Sequence, residues 1–326
     1  MLALRALNRH QVGAPRVGAM AEQLPQSMGV LKAHPDRWVL HRVERTAWFT
    51  TRVTWTVPGG GTARWESRLA RRRGRVELLD PEGHPLGFLE ATPATVRWLG
   101  RANLVGATAF TLGGTLFALG ALLAQLDIGS LWTVDMVYLV GGVFFSVGGY
   151  VSVLQASNAP TDIDQDGSLT AARWRWFGFE PRNIGWLSAA VLFAGTLFFG
   201  VSLVSAFAED LTPRQTNGWI WIPDIVGCVC FLVSGHLALV EVGHGRIWRI
   251  VNDLGWWVVG VNQLGSILFF LAGIAAFTRP ATSTALDLGL VNWGTFSGAV
   301  CFAVGGVLQL FERPQPPVDQ ALSNHP

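Results

Sequence analysis

Residues 298–312 read GAVCFAVGGVLQLFE, and two related runs occur earlier, GCVCFLVSGHLALVE at 227–241 and GGVFFSVGGYVSVLQ at 141–155. Aligned without gaps, the three share Gly at the first position, Phe at the fifth and Val at the seventh. A Gly-Gly or Ser-Gly pair follows, and the last residue is Glu or Gln. None carries a charge before its final residue. Each is long enough for a membrane-spanning helix, and each follows another apolar run at a similar distance. The pattern predicts a triplicated helical hairpin in a membrane.

Working outward, six predominantly apolar stretches fall at 102–124, 134–155, 184–206, 220–241, 255–277 and 289–311. Each approaches the ~20 residues a helix needs to cross ~30 Å of hydrocarbon. Backbone polar groups find no water partners in lipid, so helices are the expected spanning form. The composition agrees: 50% of the 326 residues are hydrophobic and 14% charged, against about 25% charged in soluble domains. Most of the 24 basic residues precede residue 102, and all but Lys32 are Arg.

The expected fold is therefore an all-α integral membrane protein of six transmembrane helices, three parallel helical-hairpin repeats, preceded by a small β-rich cytosolic element. The divisions are a disordered leader over 1–36 (with Met1, Met20 or Met28 as start), a soluble β-rich region over 37–97, and hairpins over 98–156, 184–242 and 255–312. Cytosolic loops over 157–183 and 243–254 and a disordered tail over 313–326 complete the chain. In the soluble region, 47–57 and 62–70 flank the turn signal Pro58-Gly59-Gly60-Gly61, and 76–79 and 86–90 flank Asp80-Pro81-Glu82-Gly83, predicting about four strands.

Orientation follows from the arginines. Arg97, Arg101, Arg173, Arg175, Arg182, Arg246, Arg249 and Arg313 fall on one side, and only Arg214 and Arg279 on the other. The positive-inside bias predicts an inner-membrane protein with both termini cytoplasmic.

The first helices of the hairpins also repeat. Asn103 to Phe110 matches Asn262 to Phe269, and Trp186 to Phe193 keeps the Phe and a small residue. Two spans per copy make the repeats parallel. Gly106, Gly113 and Gly120 share one helix face, Gly294 and Gly298 form GxxxG, and Gly142 pairs with Ser146. In lipid such residues promote close helix approach, so they read as a packing seam.

Candidate chemistry is sparse. Asp162, Asp164 and Asp166 with Gly167 match the start of a calcium loop, but Arg173 stands where a bidentate Glu is needed, so an acidic turn is the favoured reading. Intramembrane polar residues are functional candidates by default. They are His236, Asp224, Asn262, Glu241 and Glu312; the two glutamates, with Gln155, end the repeated helix and would converge if the repeats surround one axis. Asn103 reads as a capping or interhelical residue. Cys228, Cys230 and Cys301 lie in apolar runs and predict neither disulfide nor metal site. Arg71, Arg72, Arg73 and Arg75 are expected at anionic lipid headgroups. No catalytic, cofactor or nucleic-acid motif is found.

The phrases WIPDIVGCVCFLVSG (221–235), GWLSAAVLFAGTLFF (185–199) and WWVVGVNQLGSILFF (256–270) resemble the bacterial YrhK-like membrane domain, a two-helix module. Trp65-Glu66-Ser67-Arg68 fits the soluble part of six-span bacterial proteins that carry it. The resemblance spans roughly 60–312 and implies membrane architecture without a defined activity; Cys228 and the Asp-rich loop depart from it. The function expected is a non-enzymatic structural, sensory or interaction module. The alternative is a small-molecule or ion permease with a path along the axis relating the hairpins.

Overall fold

The computed structural model describes residues 34–165, 169–170, 174–245 and 253–312. Most of the 1–36 leader and all of the 313–326 tail therefore lie outside the described residues.

The region before the long helices is a five-stranded antiparallel meander in the order β1 (Val39–Thr46), β2 (Phe49–Thr56), β3 (Thr62–Glu66), β4 (Arg75–Leu79), β5 (Pro85–Glu90). Alternation sets its two faces. Val53 and Trp55 of β2 oppose Trp65 and Ala63 of β3 in the core, while Arg52 and Arg64 point outward to Glu66 and Glu77. Two short strands, β6 (Asp162–Ile163) and β7 (Leu169–Thr170), pair antiparallel and bury Ile163 and Leu169 in the same core.

Two expectations need correction here. The sheet has five strands where about four were expected. The run 62–70 is not extended throughout, because β3 ends at Glu66 and a short helix, α1 (Ser67–Arg73), follows. Gly74 stops it in the left-handed region, φ 64°, with its N–H donating to the Ala70 carbonyl.

Six helices are long and apolar enough to cross a membrane. They are α2 (Pro93–Gln125), α3 (Leu131–Ser157), α4 (Ile184–Ser205), α6 (Ile222–Val242), α7 (Leu254–Ala275) and α8 (Leu288–Phe311). α6 is approached through a single turn, α5 (Pro213–Thr216), and a π turn over Asn217–Trp221. α2 begins earlier than expected, at Pro93, where Thr92 caps it and Pro at N1 costs no hydrogen bond.

The helices close into a ring: α2 packs on α3, α3 on α4, α4 on α6, α6 on α7, α7 on α8, and α8 back on α2. Glycines set the spacing. A Cβ on Gly114 of α2 would lie 2.6 Å from the backbone nitrogen of Ala303 on α8, and one on Gly306 of α8 would lie 2.8 Å from that of Thr111 on α2. Elsewhere the seam is softer. Gly113 and Gly120 face the rings of Phe145 and Tyr138, and Gly235 faces the movable amide of Gln263.

Inside the ring each spanning helix contributes one buried phenylalanine: Phe117, Phe145, Phe199, Phe231, Phe269 and Phe302. Their rings meet in tilted and edge-to-face pairs, such as Phe145–Phe302 at 5.6 Å and Phe199–Phe231 at 5.0 Å, and fill the centre. Phe269 therefore corresponds in place to Phe117 and Phe199, each four residues after the glycine (Gly113, Gly195, Gly265) that touches the neighbouring helix. The sequence match of Phe269 with Phe110 was two turns off. A shift of seven residues preserves a helix face, so pattern matching alone cannot separate the two registers.

Candidate functional site

The site is built on α1. Arg68, Arg71 and Arg72 stand at i, i+3 and i+4, which places three guanidiniums on one side of a short helix. That side docks into the end of the ring, where α3, α6 and α8 terminate.

Each arginine meets a different helix end. Arg68 holds Glu312 through two bonds of 2.7 Å, Nε to Oε1 and Nη2 to Oε2, a bidentate pair. Arg71 Nη2 donates to Glu241 Oε2 at 2.7 Å, and Ser67 Oγ donates to Glu241 Oε1 at 2.6 Å. Arg72 Nη1 donates to Gln155 Oε1 at 2.7 Å and to Asn103 Oδ1 at 3.4 Å. The same helix ends present their carbonyls, whose partial negative charge also favours cations there.

The neighbouring helices complete three sockets, two of them with residues at their first turn. A Cβ on Gly185 of α4 would stand 2.7 Å from Arg71 Nε, and one on Gly255 of α7 would stand 2.9 Å from Arg68 Nε. The third socket has Asn103 of α2, whose amide donates to the Gln309 carbonyl at 2.8 Å and so ties α2 to α8. Its interhelical reading from the sequence holds.

The sockets differ in charge. Two supply a carboxylate and the third supplies the neutral Gln155. Burial, with the like charges of Arg71 and Arg68, pushes Arg72 down to about 9; a guanidinium still keeps its proton at neutral pH. Burial alone would raise Glu312, but Arg68 beside it, with Arg72, holds it below its ordinary value. A depressed carboxylate stabilises the docked state above its unfolded pKa and loses that contribution as pH falls through the folded one. The dock is therefore expected to hold at neutral pH and to weaken below pH 4.5, the ordinary carboxylate value. Thermal unfolding measured from pH 7 down to pH 3 checks this.

Beneath α1 lies a partly open cavity of about 100 Å³. Arg68, Arg71 and Arg72 line one end, and Phe145, Phe231 and Phe302 the other. Asn262 and Gln309 lie in its wall. So do Ser188 and Ser234, whose hydroxyls bond each other's helices, each donating to the other's carbonyl at 2.9 and 2.8 Å.

Of the polar candidates from the sequence, Glu241, Glu312 and Asn262 come together here. Asp224 and His236 do not. Asp224 is at the far end of α6 beside Gly273, and His236 is exposed on the outward side with Val229 and Val233. Of the arginines expected at lipid headgroups, Arg71, Arg72 and Arg75 are buried, the last paired with Glu90 at 2.6 Å, and Arg73 is half-buried. Asp162 lies in β6 over the sheet core and Asp164 just after it, while Asp166 and Arg173 fall outside the described residues. No group of three or more His, Cys, Asp or Glu that could hold a metal occurs among the described residues.

Comparison of the chain with family models, curated proteins and solved structures finds no match. Its function has to be argued from this geometry.

Proposed function

We propose that the chain is a non-enzymatic membrane module in which the helix ring holds the soluble sheet domain at one membrane face and couples the two. The observation that carries this reading is the docking of α1, with each arginine in a separate socket. Such an arrangement transmits a change in ring diameter directly to α1, and through Gly74 and β4 to the sheet. The six phenylalanines that fill the centre oppose an open path. We read the sockets as copies of one hairpin design, related by an axis near the membrane normal. The common Gly–Phe spacing supports this, as does the repeated position of Gln155, Glu241 and Glu312. We place α1 on the cytoplasmic side, since Arg97, Arg101, Arg175 and Arg182 lie at that end of the ring and Arg214 and Arg279 at the other. The resemblance to the YrhK-like domain fits a membrane module and adds no activity.

Trypsin tests the reading, because the buried arginines of α1 are themselves cleavage sites. In the intact protein the exposed Arg37 is expected to be cut while 67–73 survives. Equal rates at both places would sink the docking model.

The permease alternative draws on one observation, the cavity between the arginines and the phenylalanines. Proteoliposomes that pass chloride or other small solutes faster than protein-free vesicles would favour it; no excess flux is expected here.

A further inference from the structure

We propose that the cavity beneath α1 binds one small monovalent anion, of the halide, nitrate or formate class. The inference rests on the reading that α1 lodges in the ring, and it names the ligand of that same site.

Charge is the first argument. Two buried guanidiniums, Arg71 and Arg72, and the half-buried Arg68 face two buried carboxylates, because Gln155 stands where the other two sockets have Glu241 and Glu312. Asp253, at the start of α7, does not settle the difference. It attracts Arg68, but it is exposed and its carboxylate accepts from the Gly255 N–H, so solvent weakens its effect and it leaves Arg72 unpaired. Among the described residues one positive charge is left without a buried counter-ion, which is unfavourable unless something pairs with it.

Unused donors are the second argument. The Nε atoms of Arg71 and Arg72 and the side-chain amide nitrogen of Gln309 are buried without a hydrogen-bond partner, and all three residues line the cavity. Arg71 and Arg72 are 6% and 7% exposed. Arg71 Nε faces Gly185, itself part of the cavity wall, so only the missing side chain leaves that corner open. Buried polar groups in native proteins are ordinarily satisfied.

Size is the third argument. About 100 Å³ is open to the centre of a water-sized sphere, several times the ~10–15 Å³ that one water needs on that measure, so a small anion fits together with water. The largely apolar walls carry amide and hydroxyl groups, and among the described residues no carboxylate lines the space to repel an anion. Phe145, Phe231 and Phe302 close the far end, and edge-on aromatic rings tolerate negative charge.

The test uses the purified full-length chain and its Gln155→Glu variant, which supplies the missing carboxylate. Thermal unfolding is followed while sodium nitrate or sodium chloride replaces sodium gluconate at constant ionic strength. Gluconate serves as the bulky, strongly hydrated reference anion. The wild type is expected to rise in Tm saturably as the small anion binds the folded state. Gln155→Glu is expected to melt higher in gluconate and to gain nothing from nitrate or chloride. A wild type indifferent to the anion overturns the proposal, and so does an equal gain in both proteins, which would be a general salt effect. If the variant fails to fold, equilibrium dialysis of the wild type against radioactive chloride decides: one saturable site per chain supports the proposal and none overturns it. Protection of α1 from trypsin reports on docking separately, so an undocked α1 and an empty but docked cavity give different results.

Discussion

Glu241→Ala is expected to cost the docked state about 3–5 kcal/mol, the usual consequence of removing one partner of a buried pair. The loss is large because Glu241 serves two groups at once. Its carboxylate accepts from Arg71 at 2.7 Å and from Ser67 at 2.6 Å, and the side chain is 1% exposed. Without it, Arg71 and Arg68 repel each other and Arg72 across a space that water enters poorly. Glu241→Gln keeps acceptor capacity for Ser67 and is expected to fall between wild type and Ala. Thermal unfolding in detergent measures the difference. Trypsin should begin to cut within 67–73 in the Ala variant at temperatures where the wild type resists. Equal melting of Glu241→Ala and wild type would show that the pair contributes nothing.

Gly114→Leu is expected to prevent assembly of the ring. The added carbon would lie 2.6 Å from the Ala303 nitrogen and 2.7 Å from the Ala299 carbonyl oxygen, so the obstruction is backbone and cannot rotate away. Even Gly114→Ala should destabilise by about 1–3 kcal/mol, as overpacking does. Gly200 is the control, since nothing lies within 4 Å of a Cβ placed there. Gly200→Ala should be neutral or stabilise by up to ~1 kcal/mol through helix propensity. Gly235→Leu should be milder than Gly114→Leu, because the Gln263 amide it meets can move. Monodispersity on size exclusion and melting temperature rank the four. Similar behaviour of Gly114→Ala and Gly200→Ala would contradict the seam.

The spanning helices could be read in the chain because lipid demands long apolar runs, and those runs are visible locally. The seam could be read because glycines at helical spacing have few other uses in such runs. The site was only half visible. Glu241 and Glu312 stood out as charges at the ends of apolar segments, and so did Gln155 by alignment with them. Their partners did not, because Ser67–Arg73 follows a strand and looks like its continuation into a basic turn. Two local signs were present: arginines at i, i+3 and i+4, and Gly74 directly after them. The partners that give these signs meaning lie 170 and 244 residues away in sequence for Arg71 and Arg68, and no local pattern reports on such separations. His236 misled for the opposite reason. A polar residue in an apolar helix suggests function only if it faces inward, and the repeat alone did not fix which side of α6 that was.

The central claim is that α1 is locked into the ring by paired charges. A double-mutant cycle on Arg68 and Glu312 tests it most directly, with Arg68→Gln, Glu312→Gln and the double variant compared by thermal and denaturant unfolding. The bidentate geometry, at 2.7 Å for both bonds, predicts a coupling energy of about 1–3 kcal/mol. Single changes that add to the double within about 0.5 kcal/mol would mean that the two side chains do not meet, and would contradict the account.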